Sequence, residues 1–213
     1  MTKGVKAVLF DMDGVLIEAK DWHYEALNDA LDLFGMAISR DEHLAIYDGL
    51  PTRKKLEMLG RTRGLSPRLH NFINAVKQRR TLELVATRCS PLFHHQFALS
   101  QLHREGYKIA VCSNSVRATV AAMMERAALA PYLDFFLSNE DVGKAKPDPE
   151  IYTAAIARLG LSPSEALIVE DNEHGLQAAR ASGAHVLAVG TVYDVTYDRI
   201  KHAIAVAEGQ SAA

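Results

Sequence analysis

The sequence lacks the features of several protein classes. It has only two cysteines, Cys89 and Cys112, among 213 residues, which excludes the disulfide framework of a small secreted domain. No apolar run approaches the roughly 20 residues that a membrane span needs. The apolar stretch near the N-terminus is interrupted by Asp11 and Asp13, which argues against a signal peptide. We therefore expect a cytoplasmic protein with no membrane partner.

The chain also lacks a large excess of charge of either sign. Its formal net charge is −2 and 23% of its residues are charged, so there is no overall basic surface for binding nucleic acid. Hydrophobic residues make up 48% of the sequence, enough for one large core or for a core with a smaller inserted domain. We expect no nucleic-acid partner and take a monomer as the default.

Short apolar runs alternate with helical patterns over most of the chain. Strand-like runs occupy residues 5–10, 108–112, 135–138, 166–170 and 185–189, and helical patterns lie near 92–105, 116–129, 149–159 and 173–182. Such alternation is typical of an α/β fold in which helices cover both faces of a parallel sheet. The sequence therefore predicts a Rossmann-like parallel sheet as the core.

The segment after the first strand departs from this alternation and contains only helical signals. Leu27, Ala30, Leu31 and Phe34 recur at helical spacing, and Gly35 follows as a stop signal. Further helix starts are predicted at Ser39 and at Ser66–Pro67, the latter with an apolar face made of Leu69, Phe72, Ile73 and Val76. We predict an inserted all-helical cap domain over residues 18–88, and a core made of residues 1–17 and 89–213.

Polar residues follow three of the predicted strands, and a lysine lies in the loop after a fourth. Their positions are Asp11 and Asp13, Ser113 and Asn114, Lys146, and Glu170 and Asp171. Because the carboxyl ends of parallel strands share one edge of the sheet, we expect these residues to meet there. Each also has a plain structural interpretation: Ser115 and Asp171, for example, are suitable helix N-caps.

The residue types in this set suit phosphate chemistry. Two aspartates inside an apolar stretch are unfavourable unless a cation balances them, and carboxylate oxygens are the ligands that Mg²⁺ prefers. A lysine and a hydroxyl suit the oxygens of a phosphoryl group. One carboxylate can attack phosphorus as a nucleophile, and a second can transfer the proton.

Four motifs in this order, FDMDGVL, CSNS, KPDPEIY and IVEDN, resemble the haloacid dehalogenase superfamily, and within it the phosphatases and phosphomutases that carry a helical cap. The resemblance covers about residues 5 to 190 and implies a role for each matching residue. Asp11 would be the nucleophile and Asp13 the general acid and base. Ser113, with Asn114 beside it, and Lys146 would hold the phosphoryl group.

The resemblance also implies the metal site and the reaction class. Mg²⁺ would be bound by the Asp11 carboxylate, the Asp13 backbone carbonyl and the Asp171 carboxylate, with Glu170 in support. The dehalogenases and phosphonate-cleaving members of the superfamily lack an aspartate at the position of Asp13, so cleavage of carbon–halogen or carbon–phosphorus bonds is disfavoured. We expect a Mg²⁺-dependent phosphatase of a small phosphorylated metabolite, such as a sugar phosphate, acting through an aspartyl-phosphate.

Caps of the related proteins contact the substrate beyond its phosphate, and three residues match such positions. His23 corresponds to a histidine near the hinge, and Thr52 and Arg53 lie in DGLPTRKK, which resembles the substrate-facing cap loop. Residues 51–80 contain nine Lys or Arg and one acid. This basic segment either compensates the acidic helix before it or attracts an anionic substrate.

Two alternative functions remain open at this stage. A phosphomutase of the β-phosphoglucomutase type would use the same nucleophile, although such mutases tend to carry a lysine where this chain has Asp48. A catalytically silent phosphate-binding module would keep the same ligands without turnover.

Overall fold

The computed structural model describes residues 4–209. The chain divides into two compact units, one formed by the residues up to Glu18 together with those from Ser90 onward, the other by Ala19–Cys89. The first unit contains the sheet and the second is built from helices. Among the helices of the described residues, none is both long enough and apolar enough to cross a bilayer.

The first unit is organised around a five-stranded parallel sheet in the order β3-β2-β1-β4-β5. The strands are β1 (Ala7–Phe10), β2 (Lys108–Cys112), β3 (Phe135–Leu137), β4 (Ala166–Glu170) and β5 (His185–Ala188). The central strands β1 and β4 are buried along their whole length, which is why their sequences are continuous apolar runs rather than alternating ones. The predicted Rossmann-like sheet is confirmed.

The helical unit contains α1 (Lys20–Asp32), the short α2 (Arg40–Glu42), α3 (Thr52–Arg63) and α4 (His70–Arg88). Its core includes Leu27, Leu31, Leu59 and Ile73, all almost fully buried, as the helical spacing in α1 predicts. The exposed charges of this unit pair across helices: Arg80 contacts Asp29 at 2.7 Å and Glu25 at 3.1 Å. Part of the basic segment therefore compensates the acidic α1.

Two details of the helical unit differ from the prediction. Ser66 caps no helix with its side chain, because Pro67–Leu69 forms a 3₁₀ turn and the α-helix begins only at His70. Phe72 is 52% exposed although we expected it on the buried face. Ile73 occupies the core position. Phe72 precedes it on the helix and therefore points about 100° away, where it packs edge-on against Phe34.

In the described part of the first unit, five helices flank the sheet: α5 (Phe93–Arg104), α6 (Arg117–Arg126), α7 (Glu150–Arg158), α8 (Glu173–Ala181) and α9 (Tyr197–Ala207). Four of them agree with the predicted helical patterns to within three residues at either end. Buried side chains of α7 and α8, such as Ile151, Tyr152 and Ala178, pack on those of β1 and β4. This packing fixes the strand ends from which the site is built.

Candidate active site

The turn after β1 places the first two candidate residues. Asp11 directly follows Phe10, and its backbone N–H bonds to the Val169 carbonyl of the neighbouring strand at 3.0 Å. Gly14 adopts φ = 90°, a conformation that a side chain would disfavour. The chain then folds back so that the Leu16 and Ile17 N–H groups both bond to the Met12 carbonyl at 2.9 Å. Asp11 is 5% exposed at the carboxyl end of the strand.

Lys146 is the centre of a buried polar network. Its Nζ donates to Asp11 Oδ1 at 2.7 Å, to Glu170 Oε1 at 2.6 Å and to the Tyr152 hydroxyl at 2.8 Å. The Tyr152 hydroxyl in turn donates to Glu170 Oε1 at 2.6 Å. Sequence reasoning missed Tyr152, although it is the last letter of the KPDPEIY motif. A pattern of apolar residues does not distinguish a tyrosine that only packs in the core from one whose hydroxyl also bonds to residues of the site.

The charges of this network are strongly coupled. Burial, followed by the negative charge of Glu170, raises the pKa of Asp11 well above its ordinary value, although Lys146 opposes this shift. Burial by itself lowers the pKa of Lys146, but the adjacent Asp11 and Glu170 carboxylates more than reverse this effect and raise it. Lys146 is therefore a fixed cation at neutral pH. Burial also raises the pKa of Tyr152, so its hydroxyl keeps its proton and remains a donor.

The carboxylates of Asp11, Glu170 and Asp171 form a cluster suited to a metal ion. One oxygen from each lies within 4.8 Å of the other two. With Asp13 they supply four carboxylates against the single ammonium group of Lys146, so the cluster has an excess of negative charge that a divalent cation would balance. Hard oxygen ligands of this kind match Mg²⁺. The residues present therefore fit the predicted metal.

Glu170 and Asp171 are placed by the start of α8. Glu170 uses Oε1 for Lys146 and Tyr152, and its Oε2 accepts the Asp171 N–H at 3.1 Å. Glu170 therefore belongs to the metal cluster and also holds Lys146, Tyr152 and the Asp171 backbone in place. The interpretation of Asp171 as the N-cap is wrong, because Asn172 caps the helix by accepting the Gly175 N–H at 3.0 Å. The Asp171 carboxylate instead accepts a hydrogen bond from Asn172 Nδ2 at 3.2 Å and belongs to the acidic cluster.

Ser113 and Asp13 are linked through Ser115. The Ser115 N–H donates to Ser113 Oγ at 3.0 Å, and the Ser115 hydroxyl donates to Asp13 Oδ2, also at 3.0 Å. The expectation that Ser115 caps the next helix is wrong, since Val116 precedes α6 and no side chain caps it. Ser113 accepts with one lone pair, which directs its own O–H hydrogen elsewhere.

Asn114 holds the loop that carries Lys146. Its Oδ1 accepts the Lys146 N–H at 3.1 Å and its Nδ2 donates to the Lys146 carbonyl at 3.3 Å. These paired bonds fix the backbone from which the lysine side chain enters the site. Asn114 therefore has a positioning role in the structure, and its predicted contact with the substrate stays a prediction.

The three remaining candidates lie in the helical unit. His23 is on α1, with its Nδ1 3.3 Å from Lys77 Nζ. Thr52 is the first residue of α3, and Arg53 is an exposed residue that pairs with Glu57 one turn later at 3.2 Å. The hydrogen bonds and ion pairs described above for the other seven candidates lie within the first unit, and a substrate role for these three stays a prediction.

A comparison with protein families identifies the class of this molecule. Residues 8–189 match the family of haloacid dehalogenase-like hydrolases, a match that spans both the strand-end residues and the helical insert. The chain therefore belongs to this family, and specifically to its branch with a helical cap domain.

The relatives differ from one another in activity. A phosphorylated carbohydrates phosphatase of Thermotoga maritima is 29% identical over 84% of this chain and 82% of its own length. A phosphoglycolate phosphatase of Salmonella paratyphi A is 27% identical, with 92% and 84% covered. A β-phosphoglucomutase of Bacillus subtilis is also 27% identical, with 87% and 84% covered.

Solved structures support the fold. The CbbY protein of Rhodobacter sphaeroides, crystallised with phosphate, superposes with a TM-score of 0.80 at 23% identity and covers 86% of this chain and 85% of that one. The β-phosphoglucomutase of Clostridium difficile gives 0.83 at 17% identity and covers 97% and 100%. At these identities the likeness establishes the shared fold.

Proposed function

We propose that the protein is a Mg²⁺-dependent phosphatase that hydrolyses the phosphoric monoester of a small metabolite through an aspartyl-phosphate. The observation that carries this proposal is the contact between Asp11 and Lys146 at 2.7 Å beside the cluster of carboxylates. A buried carboxylate held by an ammonium group at a strand end supports our assignment of Asp11 as the nucleophile. The phosphatases among the relatives support the same reaction.

In the first step, a carboxylate oxygen of Asp11 attacks phosphorus. The bond between phosphorus and the ester oxygen breaks, and Asp13 gives its proton to the departing oxygen. Lys146 Nζ bonds to one Asp11 oxygen, which leaves the other to form the new bond. The products of this step are the free alcohol and phosphorylated Asp11.

In the second step, Asp13 takes a proton from water while the water oxygen attacks phosphorus. The aspartyl-phosphate bond breaks, and inorganic phosphate and the Asp11 carboxylate result. The hydrogen bond from Ser115 to Asp13 Oδ2 holds the carboxyl group in one orientation for both proton transfers.

The phosphoryl oxygens are proposed to bind Ser113 and Lys146. Ser113 Oγ already accepts the Ser115 N–H, so its hydroxyl hydrogen is the donor to a phosphoryl oxygen. The ammonium group of Lys146 supplies fixed positive charge. We propose that Asp11, Asp171 and the Asp13 carbonyl hold Mg²⁺, with Glu170 in support, and when bound the ion would neutralise charge on the phosphoryl group.

A sugar phosphate is the proposed substrate class, because the chain resembles a phosphatase of phosphorylated carbohydrates over most of its length. His23, Thr52 and Arg53 remain our candidates for contacting the part of the substrate beyond the phosphate. The mutase relative makes an isomerisation of the same substrates the second candidate, and both share the first chemical step.

The experiment is a phosphate-release assay on a panel of sugar phosphates, nucleotides and other phosphometabolites, with and without Mg²⁺, with analysis of the organic products. Asp11→Asn keeps the shape of the side chain and should abolish turnover, while Asp198→Asn, an exposed change on α9, should not affect it. Release that depends on Mg²⁺ and Asp11 supports the proposal. An isomerised product without free phosphate favours the mutase, and substantial release by Asp11→Asn contradicts the covalent mechanism.

A further inference from the structure

A groove of about 750 Å³ lies within the helical unit, between α3 and α4. Its size falls in the range of roughly 300–1,000 Å³ that is typical of small-molecule sites. Leu56 and Leu65 are buried and form an apolar floor, and Pro67 extends it at one side. A surface of this kind can cover the apolar body of a small organic molecule.

The walls contributed by α3 carry a net positive charge. Arg53, Glu57 and Arg61 line the groove and follow one another at four-residue spacing along one face of the helix. Glu57 pairs with Arg53 at 3.2 Å. Arg61 forms no ion pair or hydrogen bond through its side chain with any residue between 4 and 209. Its guanidinium is therefore an uncompensated cation at the edge of the groove.

The opposite wall, from α4, offers neutral polar groups. His70, Asn71 and Asn74 line it, and neither asparagine uses its side-chain amide in a hydrogen bond with the described part of the chain. The Nε2 atom of His70 is buried and has no hydrogen-bond partner among the described protein atoms. The groups that this wall offers to a ligand are therefore the two asparagine amides.

Gly60 allows α3 to pack closely against the floor of the groove. A β-carbon built at Gly60 would lie 3.2 Å from the Leu65 carbonyl oxygen and 3.9 Å from His70 Nε2. The first distance is tighter than ordinary van der Waals contact, so a side chain here would push against the loop that forms the floor. The absence of a side chain lets the Leu65 carbonyl and the buried Nε2 atom of His70 pack close to the backbone of α3.

We propose that this groove binds a small organic anion, with a phosphate or carboxylate group held by Arg61 and the amides of Asn71 and Asn74, and with an apolar body over Leu56 and Leu65. The inference goes beyond the proposed function, because none of these residues belongs to the phosphoryl-transfer site. The anion has two possible sources of the same chemistry: a part of the substrate that is not transferred, or a separate metabolite.

The test is binding to the full-length Asp11→Asn protein, which prevents turnover, with glucose 6-phosphate, adenosine 5′-monophosphate and inorganic phosphate as probes. We expect an organic anion to bind and to shift the backbone amide NMR signals of Gly60, Leu65 and His70. Arg61→Gln, made in the same background, should weaken binding about tenfold or more, the effect of losing one charge-assisted hydrogen bond. The matched control is Arg68→Gln, an exposed arginine on the adjacent 3₁₀ turn that does not line the groove.

Two results would overturn the proposal. The first is that neither organic probe binds up to about 10 mM. The second is that Arg61→Gln and Arg68→Gln weaken binding equally. A competition experiment shows which of the two sources supplies the anion. If the best substrate of the phosphate-release assay displaces the probe, the groove binds part of the substrate, and if both bind together, it binds a separate metabolite. Either result supports the site, and the binding of the probes themselves is measured without turnover.

Discussion

The Glu170 carboxylate fills the space next to the backbone of Gly175. A β-carbon at position 175 would lie 2.0 Å from Glu170 Oε1 and 2.1 Å from its carboxyl carbon. Glu170 is completely buried and is held by Lys146 and Tyr152, so it cannot move aside without breaking those bonds. Gly175 therefore determines how closely α8 approaches β4, and with it the position of the acidic cluster.

Gly175→Ala should reduce both stability and turnover. Overpacking of this kind costs about 1–3 kcal/mol, and a displaced Glu170 would also move Lys146 away from Asp11. We expect kcat to fall at least tenfold, as measured by phosphate release, with a lower midpoint of thermal unfolding. Gly143→Ala is the control, since its β-carbon would make only ordinary contact at 3.5 Å. Normal turnover in Gly175→Ala would show that Glu170 can relax without affecting the site.

The residues at the strand ends were predictable because the carboxyl ends of parallel strands lie at one edge of the sheet for any conformation of the loops. Asp11, Ser113 and Glu170 follow directly from the positions of three apolar runs, and the helical insert follows from the periodicity of α1 and α4. Sequence patterns report burial and period, and these are the properties that place strands and helices.

The contacts made by loop residues could not be predicted in the same way. Ser115 and Asp171 are both residue types that are favoured at helix N-caps, but the N-cap positions are occupied by the adjacent Val116 and Asn172. A shift of one residue in a loop decides whether a side chain caps a helix or enters the site. Such a shift depends on backbone geometry that composition does not determine.

Tyr152→Phe should disturb the position of the Lys146 ammonium group without removing its charge. The change removes the hydroxyl that donates to Glu170 Oε1 and accepts from Lys146, while the ring remains in the core. Loss of a buried bond to a charged partner costs about 2 kcal/mol of unfolding free energy. We expect a lower kcat with a KM that changes little, whereas Tyr193→Phe, which is 68% exposed in the native protein, should change neither. An unaltered kcat would mean that Asp11 and Glu170 alone position the lysine.

Ser115→Ala should affect the acid–base residue without touching the nucleophile. Asp13 loses the hydroxyl that bonds to its Oδ2, so its carboxyl group is no longer held in one orientation for the proton transfers. Loss of a hydrogen bond to a charged group costs about 1.5 kcal/mol, so we expect kcat in the phosphate-release assay to fall about tenfold while KM changes little. Ser100→Ala, which removes a hydroxyl on α5 bonded to the Phe97 carbonyl, serves as the control. A native kcat in Ser115→Ala would show that other contacts orient Asp13.

Asp171→Asn should weaken Mg²⁺ binding while the fold remains intact. The change removes one of the three clustered carboxylates and lowers the negative charge that attracts the ion. Thermal unfolding with increasing MgCl₂ measures this without turnover, because an ion that binds only the folded state raises the unfolding midpoint. We expect the concentration needed for a given rise to increase at least tenfold. Glu173→Gln, an exposed acid two residues further on, should behave like the native protein, and an equal response of the two variants would contradict the metal assignment.

His95 should make the protein sensitive to acid. Burial lowers the pKa of His95 from 6.5 to about 4, against the opposing effect of its 2.8 Å hydrogen bond to the Val192 carbonyl. As pH falls below 6.5, the unfolded chain binds a proton that the folded chain does not, so unfolding becomes more favourable until the pH reaches about 4. The loss from this one group amounts to about 3 kcal/mol over that window.

His95→Gln removes the titrating ring and retains an amide that can donate to the Val192 carbonyl. Its unfolding free energy should be lower than that of the native protein at pH 7, because packing is lost, but it should fall less between pH 7 and pH 4.5. Denaturant unfolding at several pH values measures this slope. His202→Gln, an exposed histidine on α9, should keep the native slope. If the slope of His95→Gln equals the native one, the acid sensitivity arises elsewhere, with His43 as the next candidate, since burial also lowers its pKa to about 4.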